Sequence, residues 1–413
     1  MPQQICSCRL CKQPSLVSLL DLGQQHLTGV FPGTTDAPIT KGPLELVLCQ
    51  ACGLVQLCHS YDTGEMYGEN YGYRSGLNSS MVQHLKAKAE ALQQLVSLAA
   101  GDYVLDIGSN DGTSLSFYSP NAAVLCGMDP SAEKFRHYYR PDIRLVVDFF
   151  SAARFGREFG EQARPRIITS IAMFYDLEDP QEFVRQIAAI LHPQGVWHFE
   201  QSYLPLMLEA NAYDTICHEH LEYYGLAQVK RMLDAAGLEI LDVELNATNG
   251  GSFAVTAAHR GSGLPRREER VFALLAAEES AGYGEPQTYA AFAQSVTMHR
   301  QALCELLHNL KAAGKTVLGY GASTKGNVIL QYCGLTPDLI PAIAEVNESK
   351  FGCFTPGSNI PIISEAEARA MKPDYFLVLP WHFRDNIIAR EQAFLAGGGK
   401  LIFPLPTLEI VSA

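Results

Sequence analysis

Val104-Leu105-Asp106-Ile107-Gly108-Ser109-Asn110-Asp111-Gly112 reads as a short buried strand that ends beside an acid, turns on one glycine and meets a second where a helix begins. Glycines at those two points let backbone approach a ligand closely. A dinucleotide fold would place G-x-G-x-x-G here, with helix amides on a pyrophosphate. This loop has a different glycine spacing and two added carboxylates, Asp106 and Asp111. Carboxylates suit a cationic, hydroxyl-rich ligand, and S-adenosylmethionine carries an ammonium, a sulfonium and a ribose diol. The next strand ends in Gly127-Met128-Asp129-Pro130, which places Asp129 to accept from that diol, and the third leads into Asp148-Phe149-Phe150, an acceptor with aromatic walls for an adenine. Asp106, Gly108, Asn110, Gly112, Asp129, Pro130, Asp148, Phe149 and Phe150 are therefore the expected donor contacts, and three successive strand ends favour the methyl donor over NAD.

Outward from this loop, short apolar strands alternate with helical stretches from 103 to about 203 (VLDI, AAVLCGM, RLVV, IITSI, VWHFEQ), the pattern of a doubly wound α/β sheet. Runs at 239–244 and 252–257 complete its edge. Met81, Leu85, Ala89, Leu92 and Val96 predict a helix over 79–98 leading into it. The stretch at 260–281, charged and then Ala-rich, suggests a linker that runs into a helix, and a longer helical pattern spans 287–311. A second alternation follows, built from TVLGYG, GNVILQY, AIAEV, YFLVLP, a helix over 384–395 and KLIF. The division expected is a zinc-binding module at 1–70, a methyltransferase domain at 71–258, and a linker, long helix and Rossmann-like domain at 259–413.

Six of the eleven cysteines fall within the first 58 residues. Cys8-Arg9-Leu10-Cys11 and Cys49-Gln50-Ala51-Cys52 are paired C-x-x-C knuckles. Two residues between cysteines let both thiolates reach one ion, and four thiolates suit a closed structural zinc site. Zinc would supply the stability that a loop-rich module with a thin core lacks. Cys6 and Cys58 stand close enough in sequence to replace a nominal ligand.

Tyr213-Asp214-Thr215-Ile216-Cys217-His218-Glu219-His220-Leu221-Glu222-Tyr223-Tyr224 is dense in titratable groups. His218 and Glu222 lie one helical turn apart, yet H-E-x-x-H is not satisfied because position 222 is Glu. A structural histidine pair and a general base are the other readings, the base drawing on a neighbouring carboxylate. Gly319-Tyr320-Gly321-Ala322-Ser323-Thr324-Lys325-Gly326-Asn327 is a second strand, Gly-rich loop and helix unit. Its helix amides, hydroxyls and lysine suit a diphosphate, or its glycines serve only strand-to-helix packing. It lacks the spacing of a Walker A loop.

Taken in order, the C-x-x-C pairs, YGYRS (71–75), LDIGSNDGT, CHEH, NGGSF (249–253) and GYGASTKGN (319–327) resemble the NDP-sugar C-methyltransferase family over nearly the whole chain. The resemblance implies a zinc-binding N-terminal domain, a central S-adenosylmethionine-dependent domain and a C-terminal Rossmann-like domain that helps to hold a nucleotide sugar. It implies His220 as the base that removes a proton alpha to a 4-keto group, with Glu219 beside it, so that the enolate carbon takes the methyl group. It places Tyr71 at the donor, Tyr73 in the reaction centre, and Arg74, Tyr224, Asn249, Ser323 and Lys325 at the substrate. Two positions depart from the family pattern: Cys217 replaces the Tyr that opens Y-H-E-H, and Asp176 stands where a His is usual. A thiol is a poorer donor to a keto oxygen than a phenol.

The formal net charge of -13 opposes a nucleic-acid partner, and apolar runs break before a bilayer-spanning length. A cytoplasmic monomer or weak homodimer acting on a small nucleotide-linked substrate is expected, with no membrane partner. A sugar O-methyltransferase and a non-catalytic zinc- and nucleotide-binding protein are the alternatives.

Overall fold

The computed structural model describes residues 2–67 and 73–413. Tyr71, expected at the donor, lies outside the described residues. The central sheet has seven strands in the order Leu238–Asn246, Ser252–His259, Val196–Ser202, Pro165–Ile171, Tyr103–Ile107, Val124–Met128, Ile143–Val146. Only Ser252–His259 runs against its neighbours. Chain order reverses between Tyr103–Ile107 and Pro165–Ile171, and the carboxyl ends of strands at such a reversal form a ligand crevice. The helix Ser79–Leu95 packs Met81, Leu85, Ala89 and Leu92 inward from an Asn78 cap. It stops short of residue 98 because Val96 turns extended while its side chain stays buried.

The C-terminal sheet runs Ile362–Ser364, Ile343–Glu345, Val317–Tyr320, Tyr375–Val378, Lys400–Phe403, Glu409–Val411. Its reversal falls between Val317–Tyr320 and Tyr375–Val378, so the second Gly-rich loop and the segment Leu379 to His382 share one crevice. The helix expected over 384–395 is two, Arg384–Arg390 and Gln392–Ala396. It breaks at Glu391, whose buried carboxylate accepts from Tyr320 Oη (2.9 Å) and Arg369 (2.8 Å). Glu268–Ala281 and Ala290–Ala312 form the linker helix and the long helix. No helix among the described residues is long and apolar enough to cross a membrane.

The N-terminal sheet contains a strand that local sequence does not reveal. Leu16–His26, Lys41–Cys49 and Val55–Leu57 are joined by Glu222–Tyr223, which pairs antiparallel with Gln56 and Val55. Leu57 N also donates to Leu221 O at 2.8 Å. The C-H-E-H segment thus runs directly into the sheet of the cysteine module, and both fold around a shared boundary.

Candidate active site

The first Gly-rich loop takes a left-handed path at Gly108 (φ +73°), Asn110 (φ +51°) and Gly112 (φ +75°). It gathers three carboxylates. Asp106 accepts from Thr169 Oγ1 at 2.6 Å, and burial pushes its pKa up to about 7, with Asp129 and Asp111 adding to the rise. Asp129 accepts from Asn110 N (2.8 Å) and from Ser131 N and Oγ (both 2.7 Å), so the second strand end pins the first loop. Asp111 accepts from Gly76 N and Asn110 Oδ1 from Ser75 N, both at 2.9 Å, which straps the segment after Tyr73 over the loop. Tyr73 is half exposed there, and the Arg74 guanidinium lies 4.2 Å from the Tyr138 ring. Tyr139, which pattern reading missed, links Ser109 Oγ (2.8 Å) and Asn110 O (2.9 Å). Pro130 is half-buried beside Asp129. At the third strand end Asp148 pairs with Arg154 (3.1 Å), Phe149 is half exposed and Phe150 packs on Phe183.

Residues 173–176, after the strand Pro165–Ile171, connect this loop to the histidines. A Cβ on Gly108 would meet Met173 Cγ at 3.2 Å. Two residues on, Tyr175 O accepts from Leu221 N (2.8 Å) and Glu222 N (3.1 Å), and the Tyr175 ring lies 4.1 Å from that of His220. Asp176 faces Tyr67 and Glu219, and burial holds its carboxyl well above the usual range.

The half-buried His220 places Nδ1 2.9 Å from Thr215 O. A carbonyl only accepts, so Nδ1 carries the proton and Nε2 is left as the acceptor. Burial, then the charge of Lys325, lowers the imidazole pKa to about 3. The partner that fixes the ring is therefore a backbone carbonyl rather than the neighbouring carboxylate. Glu219 turns to the cysteine module, 3.4 Å from Thr28 Oγ1, with its carboxyl pKa raised by burial. His218 is fully buried against the edge of Tyr61 and 3.5 Å from Thr28 Oγ1. The groups of side chains able to hold a metal among the described residues include neither His218 nor Glu222. Glu222 instead lies 3.9 Å from Arg9 Nε. Cys217 is fully buried, and burial pushes its thiol pKa up. Tyr224, expected at the substrate, is fully buried with its ring stacked on Phe174 at 5.3 Å.

The C-terminal domain closes the far side. Asn249, at φ +55°, turns its carbonyl to Lys325 Nζ at 2.6 Å. Trp381 Nε1 donates to the buried Asp214 Oδ2 at 2.7 Å, and Gly250 leaves room for the Trp381 ring, which a Cβ would meet at 3.1 Å. Ser323 caps the helix Thr324–Tyr332 through Gly326 N (3.0 Å). Asp214, Thr215, Tyr175, Trp381 and His382, the last within reach of the Lys325 charge, thus stand at the candidate site, where pattern reading did not single them out. The density of the 213–224 segment pointed to the first two, whereas nothing local marks the last two.

In the cysteine module the sulfurs of Cys8, Cys11, Cys49 and Cys52 lie within 4.8 Å of one another, with Cys8 to Cys52 at 3.6 Å and Cys11 to Cys49 at 3.5 Å. Tetrahedral zinc with sulfur at ~2.3 Å needs sulfurs roughly 3.8 Å apart. The four thiolates fit zinc, which they would hold as a closed structural ion.

Three family models match in sequence: a zinc binding domain at residues 8–67, a methyltransferase domain at 81–243 and a C-methyltransferase C-terminal domain at 247–406. C-methyltransferase NovU of Streptomyces niveus is 32% identical over 413 residues, spanning 98% of this chain and 97% of NovU. Solved structures are more distant. A complex of the Haloferax volcanii Trm112 methyltransferase activator with a methyltransferase is 15% identical, covering 44% of this chain and 94% of that one at a TM-score of 0.34. Plantazolicin methyltransferase BpumL with SAH is 14% identical, covering 43% and 82% at the same TM-score. The full-length identity to NovU, with the three domains in order, shows that the chain belongs to the C-methyltransferase family its motifs resemble and is an S-adenosylmethionine-dependent enzyme.

Proposed function

We propose that the enzyme methylates a carbon next to the ketone of a nucleotide-linked deoxysugar, with His220 as general base. The observation that carries this reading is the 173–176 segment, which has Gly108 of the donor loop against Met173 and the His220 imidazole against Tyr175. A base and a methyl donor on two sides of one short segment suit a reaction in which proton loss and methyl gain occur on the same carbon. A carbon next to a ketone is nucleophilic enough only as its enolate, whereas the sulfonium methyl needs no further activation.

Neutral imidazole is the form a base requires, and the tautomer set by Thr215 O leaves its lone pair at Nε2. The low pKa of about 3 belongs to a ring that burial desolvates and that has Lys325 as a neighbouring charge. An enolate formed beside Nε2 adds a negative charge that favours imidazolium, so basicity rises as the proton moves. Arg74, near the donor loop, and Asn249, Ser323 and Lys325, across the domain junction, are the proposed substrate contacts, with the half-exposed Tyr73 next to Arg74 proposed for the reaction centre. Cys217 and Asp176 line the interior behind His220, and Glu219 supports the segment from the cysteine-module side.

The test is product analysis with methyl-13C donor and a nucleoside diphosphate 4-keto-6-deoxyhexose. A new carbon–carbon coupling to the label in the NMR spectrum supports the reading. A methyl carbon coupled only through oxygen would replace it with O-methylation.

A further inference from the structure

We propose that Lys325 is a catalytic residue whose ammonium receives the negative charge that develops on the substrate's carbonyl oxygen as His220 takes the neighbouring proton. This rests on the general-base reading above and adds to it the electrophilic partner that an enolate requires.

Lys325 is half-buried in the second Gly-rich loop, where the chain order of the C-terminal sheet reverses. Its Nζ crosses the domain junction to donate one hydrogen bond, to Asn249 O at 2.6 Å. That carbonyl is its one acceptor among the described residues, so two N–H donors remain, and Asp214 is the carboxylate whose charge reaches it. Burial lowers the pKa of the Lys325 ammonium and the Asp214 charge offsets part of that, a cost retained where the cation has work in another state. Asp214 Oδ1 and His382 Nδ1, both buried, also lack a hydrogen-bond partner, so polar capacity at this junction is left for a ligand. The same charge reaches the catalytic segment, since Lys325 acts on the ionisation of His220, Cys217, Asp214 and His382.

The alternative for this lysine is a diphosphate held on the helix N-terminus. The loop's amides argue otherwise. Gly321 N donates to Ala344 O (2.8 Å), Ala322 N to Glu345 Oε2 (2.7 Å) and Gly326 N to Ser323 Oγ (3.0 Å). A phosphate at the turn would meet the resident Glu345 carboxylate, with three of the loop's amides already engaged. Lys325 points away from that corner and toward Asn249.

In the step proposed, the carbon–hydrogen bond breaks and its proton goes to His220 Nε2. The electron pair forms the carbon–carbon double bond, and the carbonyl π pair moves onto oxygen, where Lys325 donates to it. When the enolate carbon attacks the methyl group, the carbonyl re-forms, the carbon–sulfur bond breaks and sulfur keeps the pair as a neutral thioether. No oxidant or reductant is involved.

The experiment follows deuterium entering the ring of a thymidine diphosphate 4-keto-6-deoxyhexose in D2O without methyl donor, using the full-length zinc-loaded enzyme. Lys325→Met should slow exchange by about 100- to 1,000-fold, the loss typical of one oxyanion donor, with sugar-nucleotide Kd within fivefold of wild type. Lys325→Arg keeps the charge and should recover at least tenfold of that loss, which guards against a folding artefact. Exchange by Lys325→Met within threefold of wild type overturns the proposal, as does a Kd weakened in proportion to the rate. If His220→Gln abolishes exchange while Lys325→Met does not, only the lysine's role fails. If His220→Gln exchanges normally, the general-base reading fails first.

Discussion

Replacing Gly112 by Ala tests whether the first Gly-rich loop is the donor site. Gly112 holds φ at +75°, a region in which an L-side chain costs roughly 1 to 2 kcal/mol. Its added Cβ would also stand 2.9 Å from Tyr139 Cδ1 and 3.0 Å from Cε1. That ring cannot swing away freely, because its hydroxyl is bonded to Ser109 Oγ and to Asn110 O. Overpacking of this kind costs about 1 to 3 kcal/mol. The two terms together predict about 2 to 5 kcal/mol, which corresponds to a loss of S-adenosylmethionine affinity of at least about 30-fold if the loop deforms to accommodate the methyl group. Titration calorimetry with the methyl donor reads this directly, and a metal assay checks that the cysteine module is untouched. Gly112→Ala combined with Tyr139→Leu should recover the steric part and not the backbone part. Donor binding by Gly112→Ala within threefold of wild type would refute the placement of the donor on this loop.

Cys49→Ser with Cys52→Ser should lose zinc, measured by elemental analysis, and should depress methyl transfer far more than donor binding. The knuckle leads into Val55–Leu57, which pairs with the strand directly after the histidines. Metal retained in full would contradict the ligand set. Asp106→Asn tests the raised carboxyl. In the native state Asp106 holds its proton up to about pH 7, whereas the unfolded chain releases it near 3.8. Native protein therefore binds the extra proton across that window, and its stability falls as pH rises from about 4 to 7. The Asn variant escapes this fall, so its advantage in urea unfolding should open over that range to about 2 to 4 kcal/mol and stay flat above it. Trp381→Phe leaves the buried Asp214 carboxylate without the one side-chain donor it has among the described residues and should cost about 1.5 to 3 kcal/mol at the junction. It should appear as a raised KM for the sugar nucleotide at unchanged donor Kd.

Elements built from contiguous residues were legible in the sequence, and contacts between distant segments were not. The two strand, Gly-rich loop and helix units declare themselves by apolar runs and glycine spacing, and two C-x-x-C knuckles describe a four-sulfur site before any fold is known. Glu222–Tyr223 carries no such mark. Its partner strand lies more than 160 residues earlier, and a two-residue strand has no period of its own. The same limit applies at His220, where adjacency suggested Glu219 as the orienting group. Chain direction turns Glu219 to Thr28 and lets the Thr215 carbonyl hold the ring. The resemblance puts Tyr224 at the substrate, and nothing in the local sequence shows that its ring packs in the core against Phe174. Trp381 and His382 sit in an ordinary strand-to-helix turn, and only the reversal of sheet order brings them to Asp214 and Lys325.

The most direct test of the central claim is solvent exchange by the wild-type enzyme with no methyl donor present. A 4-keto-6-deoxyhexose nucleotide incubated in D2O should take up deuterium at the carbon next to the ketone, and His220→Gln should show no exchange above the uncatalysed rate while still binding the nucleotide. Methyl transfer by wild type without any such exchange, or His220→Gln exchanging at the wild-type rate, would contradict an enolate formed by His220.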